Sequence, residues 1–243
     1  MRTNSIRLYV EAPLEADREI ACTRAQANYL LAVMRLVDGA QILIFDGTNG
    51  EWRASLSRQK RSECVLRVME QVRPQEEGPD IEYLFAPVKR ARLDFMVQKA
   101  TELGVAAIRP VMTRYTDAKR VKIERMQANV IEAAEQCGVL RIPQVHEPVK
   151  LGTLLERWNP VRRIIYCDEG ALVTSPLEAL AEFDPGPLAV LIGPEGGFDA
   201  DERDRLRSLA HVTPVSLGPR VMRADTAAVA ALSLVNAVLG DWR

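Results

Sequence analysis

The feature that most constrains this chain is a change of period near residue 81. From Ile81 onward, short apolar runs alternate with segments of helical spacing. "IEYLFAPV", "AAIRPVMT", "RRIIYCD", "PLAVLIG" and "VTPVSLG" read as strands. Between and after them stand "RARLDFMVQKATELGV", "KIERMQANVIEAAEQCG", "SPLEALAEF", "DADERDRLRSLA" and "ADTAAVAALSLVNAVL", which read as helices. Strand–helix alternation predicts an α/β domain with a largely parallel sheet. In the first helix Leu93, Met96, Val97 and Ala100 share a face, and Gly104 stops it. Ser175-Pro176 opens the third helix and Asp199 caps the fourth. The last is apolar on most faces, which predicts burial.

Residues 1–72 follow a different rule. "SIRLYVEA", "QILIFDG", "GEWRASLSR" and "SECVLRVMEQV" are short, alternating and rich in β-branched residues. Asp46-Gly47-Thr48-Asn49-Gly50 signals a hairpin. One helical segment, "TRAQANYLLAVMRL", interrupts them, so a small β-barrel with one helix is expected. "RPQEEGPD", residues 73–80, packs two prolines, a glycine and three acids into eight positions and reads as a linker. The expected division is therefore 1–72, linker 73–80 and 81–243.

With 243 residues the chain can bury a sizeable core, and no apolar run reaches the roughly 20 residues of a membrane helix. "MRTNSIRLYVEAPL" lacks the apolar stretch of a signal peptide, which predicts a cytoplasmic protein without membrane contact. Cys22, Cys64, Cys137 and Cys167 are scattered, and His146 and His211 lie far apart. Neither a metal site nor a Ser-His-Asp triad is expected. Net charge is −1, but residues 81–150 carry 12 Lys/Arg against 8 Asp/Glu, while residues 151–243 carry 9 against 13. Such asymmetry fits either solvated helix faces or one face that meets an anion.

Ligands of parallel α/β sheets sit beyond the carboxyl ends of the strands. Three strand ends are unusual here: "YCDEGA" at 166–171, "LIGPEGGFDADE" at 191–202 and "SLGPRVMRADTA" at 216–227. A phosphate loop needs a lysine that the Gly193 turn lacks, and Glu195 and Asp199 would repel phosphates. A dinucleotide fingerprint needs GxGxxG, where the chain has Gly-Pro-Glu-Gly-Gly. One reading is a tight turn with Gly196 and Gly197 at positive φ. The other pairs Gly193-Pro194 with Gly218-Pro219 as backbone edges that read an adenine, with carboxylates suited to a cationic or hydroxyl-rich ligand. Asp225-Thr226 fits a cap of the last helix, whereas Arg220 and Arg223 have no evident structural task.

Four motifs in order carry a resemblance: "QKATELGV" (98–105), "EAAEQCG" (132–138), "IGPEGGF" (192–198) and "LGPRVMRADTA" (217–227). The chain resembles the RsmE family of 16S ribosomal RNA (uridine-N3) methyltransferases, of the SPOUT superfamily. The resemblance spans nearly the whole chain. It implies an N-terminal PUA-like β-barrel and a C-terminal α/β domain with a trefoil knot. It also implies a homodimer, S-adenosylmethionine as cofactor and the small ribosomal subunit as partner. Cofactor contacts are expected from Leu172, Leu191, Ile192, Gly193, Pro194, Gly196, Gly197, Leu217, Gly218, Val221, Met222 and Thr226. The chain departs from the family pattern at Asn28, where a histidine is usual, and has Met34, Met222 and Asp225 for Leu, Leu and Glu.

Methylation at N3 of uracil requires loss of a proton and stabilisation of charge over N3, O2 and O4. A fixed cation does this most simply, which nominates Arg223 or Arg220. Glu195 and Asp225 are expected as base or orienting groups. RNA contacts are expected from Arg7, Arg35, Lys60 and Arg61 in the first domain. In the second they are expected from Arg92, Arg109, Arg114, Lys119, Arg120 and Arg220. Of the alternatives, a related enzyme acting on tRNA or a ribose hydroxyl is opposed by the N-terminal barrel and the wording of the last two motifs. A nucleotide hydrolase is disfavoured by the missing lysine, and a non-catalytic rRNA-binding assembly factor is separated by whether S-adenosylmethionine binds.

Overall fold

A computed structural model of the chain describes residues 6–118, 120–171 and 175–242. The chain forms two compact units. The first runs to Glu77 and includes Ala134–Arg141; the second comprises Gly78–Ala133 and Ile142–Arg243.

The first unit is a five-stranded sheet in the order β1-β3-β4-β5-β2. Its strands are β1 (Arg7–Tyr9), β2 (Glu19–Ala21), β3 (Gln41–Phe45), β4 (Glu51–Lys60) and β5 (Glu63–Arg73). Only the β1–β3 pair is parallel. Alternation does the work: Cys64, Leu66 and Val68 of β5 turn inward to join Leu8, Ile42, Ile44 and Leu56. The expected hairpin links β3 to β4, where Asp46 Oδ1 accepts the N–H groups of Thr48 and Asn49 at 2.9 and 2.7 Å.

The expected fourteen-residue helix in this unit is shorter and irregular. Helix α1 (Arg24–Asn28) starts with a capping box between Thr23 and Gln26 and gives way to a π-helical turn at Tyr29–Val33. There the Met34 N–H reaches back to the Tyr29 carbonyl, and the chain leaves through Arg35 at φ +55. The turn keeps Leu30 in the core and leaves Val33 and Met34 exposed.

The second unit holds seven parallel strands in the order β12-β10-β11-β6-β7-β8, with β9 also paired to β7. They are β6 (Ile81–Phe85), β7 (Ala107–Met112), β8 (Gln144–Val145), β9 (Val149–Lys150), β10 (Arg163–Cys167), β11 (Leu188–Ile192) and β12 (Val212–Val215). The helices are α2 (Arg90–Glu102), α3 (Ile123–Cys137, of which the residues from Ala134 on belong to the first unit), α4 (Leu151–Glu156), α5 (Pro176–Ala181), α6 (Ala200–Ser208) and α7 (Ala224–Leu239). Every residue of β6 and β11 is buried, as expected of central parallel strands covered on both faces. One face packs Tyr83, Phe85, Val190 and Ile192 against Met96, Val97, Ala228 and Leu232 of α2 and α7. The other packs Leu84, Tyr166 and Leu191 against Leu154 and Leu155 of α4 and Leu206 of α6.

Three helix starts follow the sequence or correct it. Ser175 accepts the Glu178 N–H, with Pro176 in the first turn. Asp199 caps α6 through Asp201 and forms a capping box with Glu202. Helix α7, by contrast, has Arg223 at its cap position with no side-chain cap bond. Asp225 lies inside the first turn, where its Oδ1 accepts the Thr226 N–H at 2.9 Å. Its carboxylate still favours the positive end of the helix.

Candidate functional site

The carboxyl ends of β10, β11 and β12 converge on one cleft that holds about 750 Å³ of free space. Each of the three strand ends supplies a wall. From β10 come Tyr166, Cys167, Asp168 and Glu169; from β11, Ile192, Gly193, Pro194 and Glu195; from β12, Leu217, Gly218, Val221 and Met222. Ala224 and Ala227 of α7 close the apolar side.

Local chemistry explains why these turns hold their shape. A Cβ on Gly193 would stand 2.9 Å from Cδ2 and 3.1 Å from Cζ of Phe198, so the position admits only hydrogen. The Phe198 ring is thereby seated between the turn and Tyr166, edge-to-face with centroids 5.0 Å apart. Of the two following glycines, only Gly197 lies at positive φ (+70). Gly196 instead lies close to Tyr115, with room for a Cβ only 3.3 Å from that residue's Cβ.

The charges are largely paired. Asp168, almost fully buried, accepts two bonds from Arg207 at 2.6 and 3.0 Å and one from the Gly170 N–H at 3.0 Å. Glu195 forms an ion pair with Arg92 of α2. Arg203 of α6 lines the cleft and donates to the Phe198 carbonyl, and its Nε is buried without a partner among the described residues. Burial pushes the Cys167 thiol up to about 12. Burial, followed by the Asp168 carboxylate, likewise raises Tyr166.

Of the residues expected around a cofactor, Ile192, Gly193, Pro194, Gly197, Leu217, Gly218, Val221 and Met222 line the cleft. Leu191, Gly196 and Thr226 do not, and Leu172 lies outside the described residues. Leu191 points to the opposite face of β11, among the core residues under α4 and α6. Tyr166, Asp168, Phe198 and Arg203 were missed. The "YCDEGA" strand end was the available signal for the first two.

Glu195 and Arg220 are at the cleft, whereas Arg223 and Asp225 are not among its walls. Both arginines are exposed, and no ion pair or hydrogen bond among the described residues engages either guanidinium.

The other basic positions differ in how free they are. Arg7 is held by Glu51 at 2.6 Å and Arg109 by Glu82 at 2.6 Å. Arg114 is 3.5 Å from Asp199, and Lys60 is 3.0 Å from Glu63. Arg35, Arg61 and Arg120 are exposed, and Lys119 lies outside the described residues. Among the described residues no cluster of His, Cys, Asp and Glu could hold a metal ion. No helix among them is long and apolar enough to cross a membrane.

The family model for an RNA methyltransferase domain matches residues 75–236, and that for an RNA methyltransferase PUA domain matches residues 23–69. The ribosomal RNA small subunit methyltransferase E of Synechocystis sp. is 32% identical, covering 96% of this chain and 78% of that protein. The chain belongs to the ribosomal RNA small subunit methyltransferase E family.

Another member of the family, from Rickettsia conorii, is 29% identical over 95% of this chain and 94% of its own. Among solved structures, a Legionella pneumophila protein in complex with the bound cofactor SAM superposes with a TM-score of 0.88. It is 30% identical and covers 98% of this chain and all of its own. A family member from Neisseria gonorrhoeae, solved bound to S-adenosyl methionine, shares the fold with a TM-score of 0.89 at 24% identity, covering 99% of this chain.

Proposed function

We propose that this chain methylates N3 of a uridine in the 16S ribosomal RNA of the small subunit, with S-adenosylmethionine as donor. The observation that carries the reading is the convergence of three strand ends on one half-apolar cleft, in a chain of this family. The residues present suit that donor. Ile192, Leu217, Val221 and Met222 offer apolar cover for an adenine face, and the turns at Gly193 and Gly218 offer backbone edges. Glu169 and Glu195 suit a cation, and the unpartnered Arg203 Nε awaits an acceptor. When bound, the group supplies an electrophilic methyl on a sulfonium.

The remaining chemistry falls to the chain's own side chains. Arg220 on the cleft wall and Arg223 at the start of α7 are cations without a side-chain partner among the described residues and can stabilise charge on the uracil oxygens. Glu195, oriented by Arg92, is placed to accept a proton or align the base. Asp225, whose Oδ1 accepts the Thr226 N–H, keeps its second oxygen available for an orienting role. The exposed cations Arg35, Arg61 and Arg120 serve as phosphate contacts.

The same proposal includes the trefoil knot, the closure of the first unit into a barrel, a homodimer and a cytoplasmic location. A kinetic comparison tests the mechanism. Arg223→Ala is expected to lower saturated turnover; loss of RNA affinity with turnover intact would assign Arg223 to binding alone.

A further inference from the structure

A second cavity opens at the other end of the same sheet. It lies on the face that carries α4, beside the amino-terminal halves of β6 and β7, and holds about 730 Å³ of free space. Glu82 of β6, Arg109 of β7, Arg162 just before β10, and Thr153, Arg157 and Trp158 from α4 and the turn after it form its walls.

Two guanidinium groups face one buried carboxylate, and Arg157 adds a third to the cavity wall. Glu82 accepts from Arg109 Nε at 2.6 Å. Arg162 is fully committed: it pairs with Asp80 at 2.8 Å and donates to the carbonyls of Asp80 and Leu188 at 3.1 and 3.0 Å. Its backbone carbonyl in turn accepts the Trp158 indole N–H at 2.8 Å, which fixes that ring in the wall. The Arg157 backbone N–H donates to Leu154, but its exposed guanidinium has no hydrogen-bond or ion-pair partner among the described residues. Among the described residues the Arg157 guanidinium, the terminal nitrogens of Arg109 and the Thr153 hydroxyl are therefore left without an acceptor.

Unpaired cations on a concave wall with an aromatic neighbour match a phosphate attached to a flat ring. We propose that this cavity binds one nucleotide, its phosphate held by Arg157, Arg109 and Thr153 and its base beside Trp158. Two sources share that chemistry: a residue of a single-stranded RNA segment, and a free nucleotide. RNA is the favoured source, and that choice rests on the proposed function.

The test uses the full chain with Trp52→Phe and Trp242→Phe, so that Trp158 is the sole tryptophan of the original three. Its fluorescence is followed on addition of uridine 5′-monophosphate, inorganic phosphate or a short single-stranded RNA. Saturable quenching by the nucleotide is expected, weakened about tenfold or more by Arg157→Ala as a charge-assisted contact is lost. Tighter binding of the oligonucleotide than of the mononucleotide identifies RNA as the source; equal binding overturns that choice. Equal binding of inorganic phosphate overturns the contact with the base. No saturable change up to about 10 mM, or an unchanged affinity in Arg157→Ala, overturns the site.

Calorimetry with S-adenosylmethionine on the same Arg157→Ala protein is expected to match the wild type, which shows that the variant is folded. Failure of the methyltransferase reading would appear as absent cofactor binding in the unsubstituted chain, and leaves the nucleotide titration interpretable.

Discussion

Replacing Gly193 with alanine tests how the cleft is built. The added Cβ would stand 2.9 and 3.1 Å from two carbons of the Phe198 ring, well inside a normal carbon contact. The ring has little freedom to retreat, because it is buried and meets Tyr166 edge-to-face at 5.0 Å. Overpacking of this kind costs about 1–3 kcal/mol. For a chain of this size each kcal/mol lowers Tm by roughly 2–4 °C, so a fall of about 2–12 °C is expected.

Gly197→Ala is the control. It meets nothing within 4 Å, but its φ of +70 strains any Cβ-bearing residue, at roughly 1–2 kcal/mol. Phe198→Leu separates the two causes: the smaller side chain should relieve Gly193→Ala and leave Gly197→Ala unchanged. Urea denaturation of the single and double variants gives the coupling, expected at about 1 kcal/mol or more for Gly193 with Phe198. Cofactor calorimetry should show the same pattern, since Phe198 lines the cleft. A Gly193→Ala protein as stable as the wild type, or one not relieved by Phe198→Leu, refutes the reasoning.

Further outcomes follow from the same geometry. At pH 8 a brief alkylation pulse should label exposed Cys137 while sparing Cys22 and Cys167, whose thiols burial holds at about 12; peptide mass spectrometry reads the pattern. The same burial makes Cys167 a pH-dependent contributor to stability. An unfolded thiol ionises from about 9.0 and the folded one only near about 12, so stability falls across that window as pH rises. His146 is depressed by burial first and by Arg109 second, so its NMR midpoint should lie below 6.5 and rise in Arg109→Gln. Because the folded value is the lower one, this histidine favours the folded state above 6.5 and ceases to do so as pH falls. RNA affinity should drop steeply with salt, as phosphate contacts require; a flat response in a filter-binding assay contradicts the basic contacts.

Much of the second unit was legible because its signals are local and repeated. Apolar runs bounded by glycine and proline located β6, β7, β10, β11 and β12, and Ser175 and Asp199 marked two helix starts by side-chain bonds to nearby amides. Helix α4 escaped notice. Its six residues are too few for a helical period to show, and it is fixed by burying Leu151, Leu154 and Leu155 against the sheet. The two-residue strands β8 and β9 were beyond reach for the same reason.

In the site, the glycine turns were visible as breaks in apolar strands. Arg203 and Phe198 were not, because only tertiary packing brings an α6 residue and a turn aromatic to the cleft. The ion pairs that occupy Arg7 and Arg109 are likewise long-range, 44 and 27 residues apart, so sequence shows a cation but not its partner.

The most direct test of the account supplies purified protein with methyl-labelled S-adenosylmethionine and small ribosomal subunits from a strain that lacks this chain. The RNA is then digested and its nucleosides separated. The account predicts label in 3-methyluridine alone, at a single position of the 16S RNA. Label in a ribose-methylated nucleoside or in another base, or none at all, would contradict it.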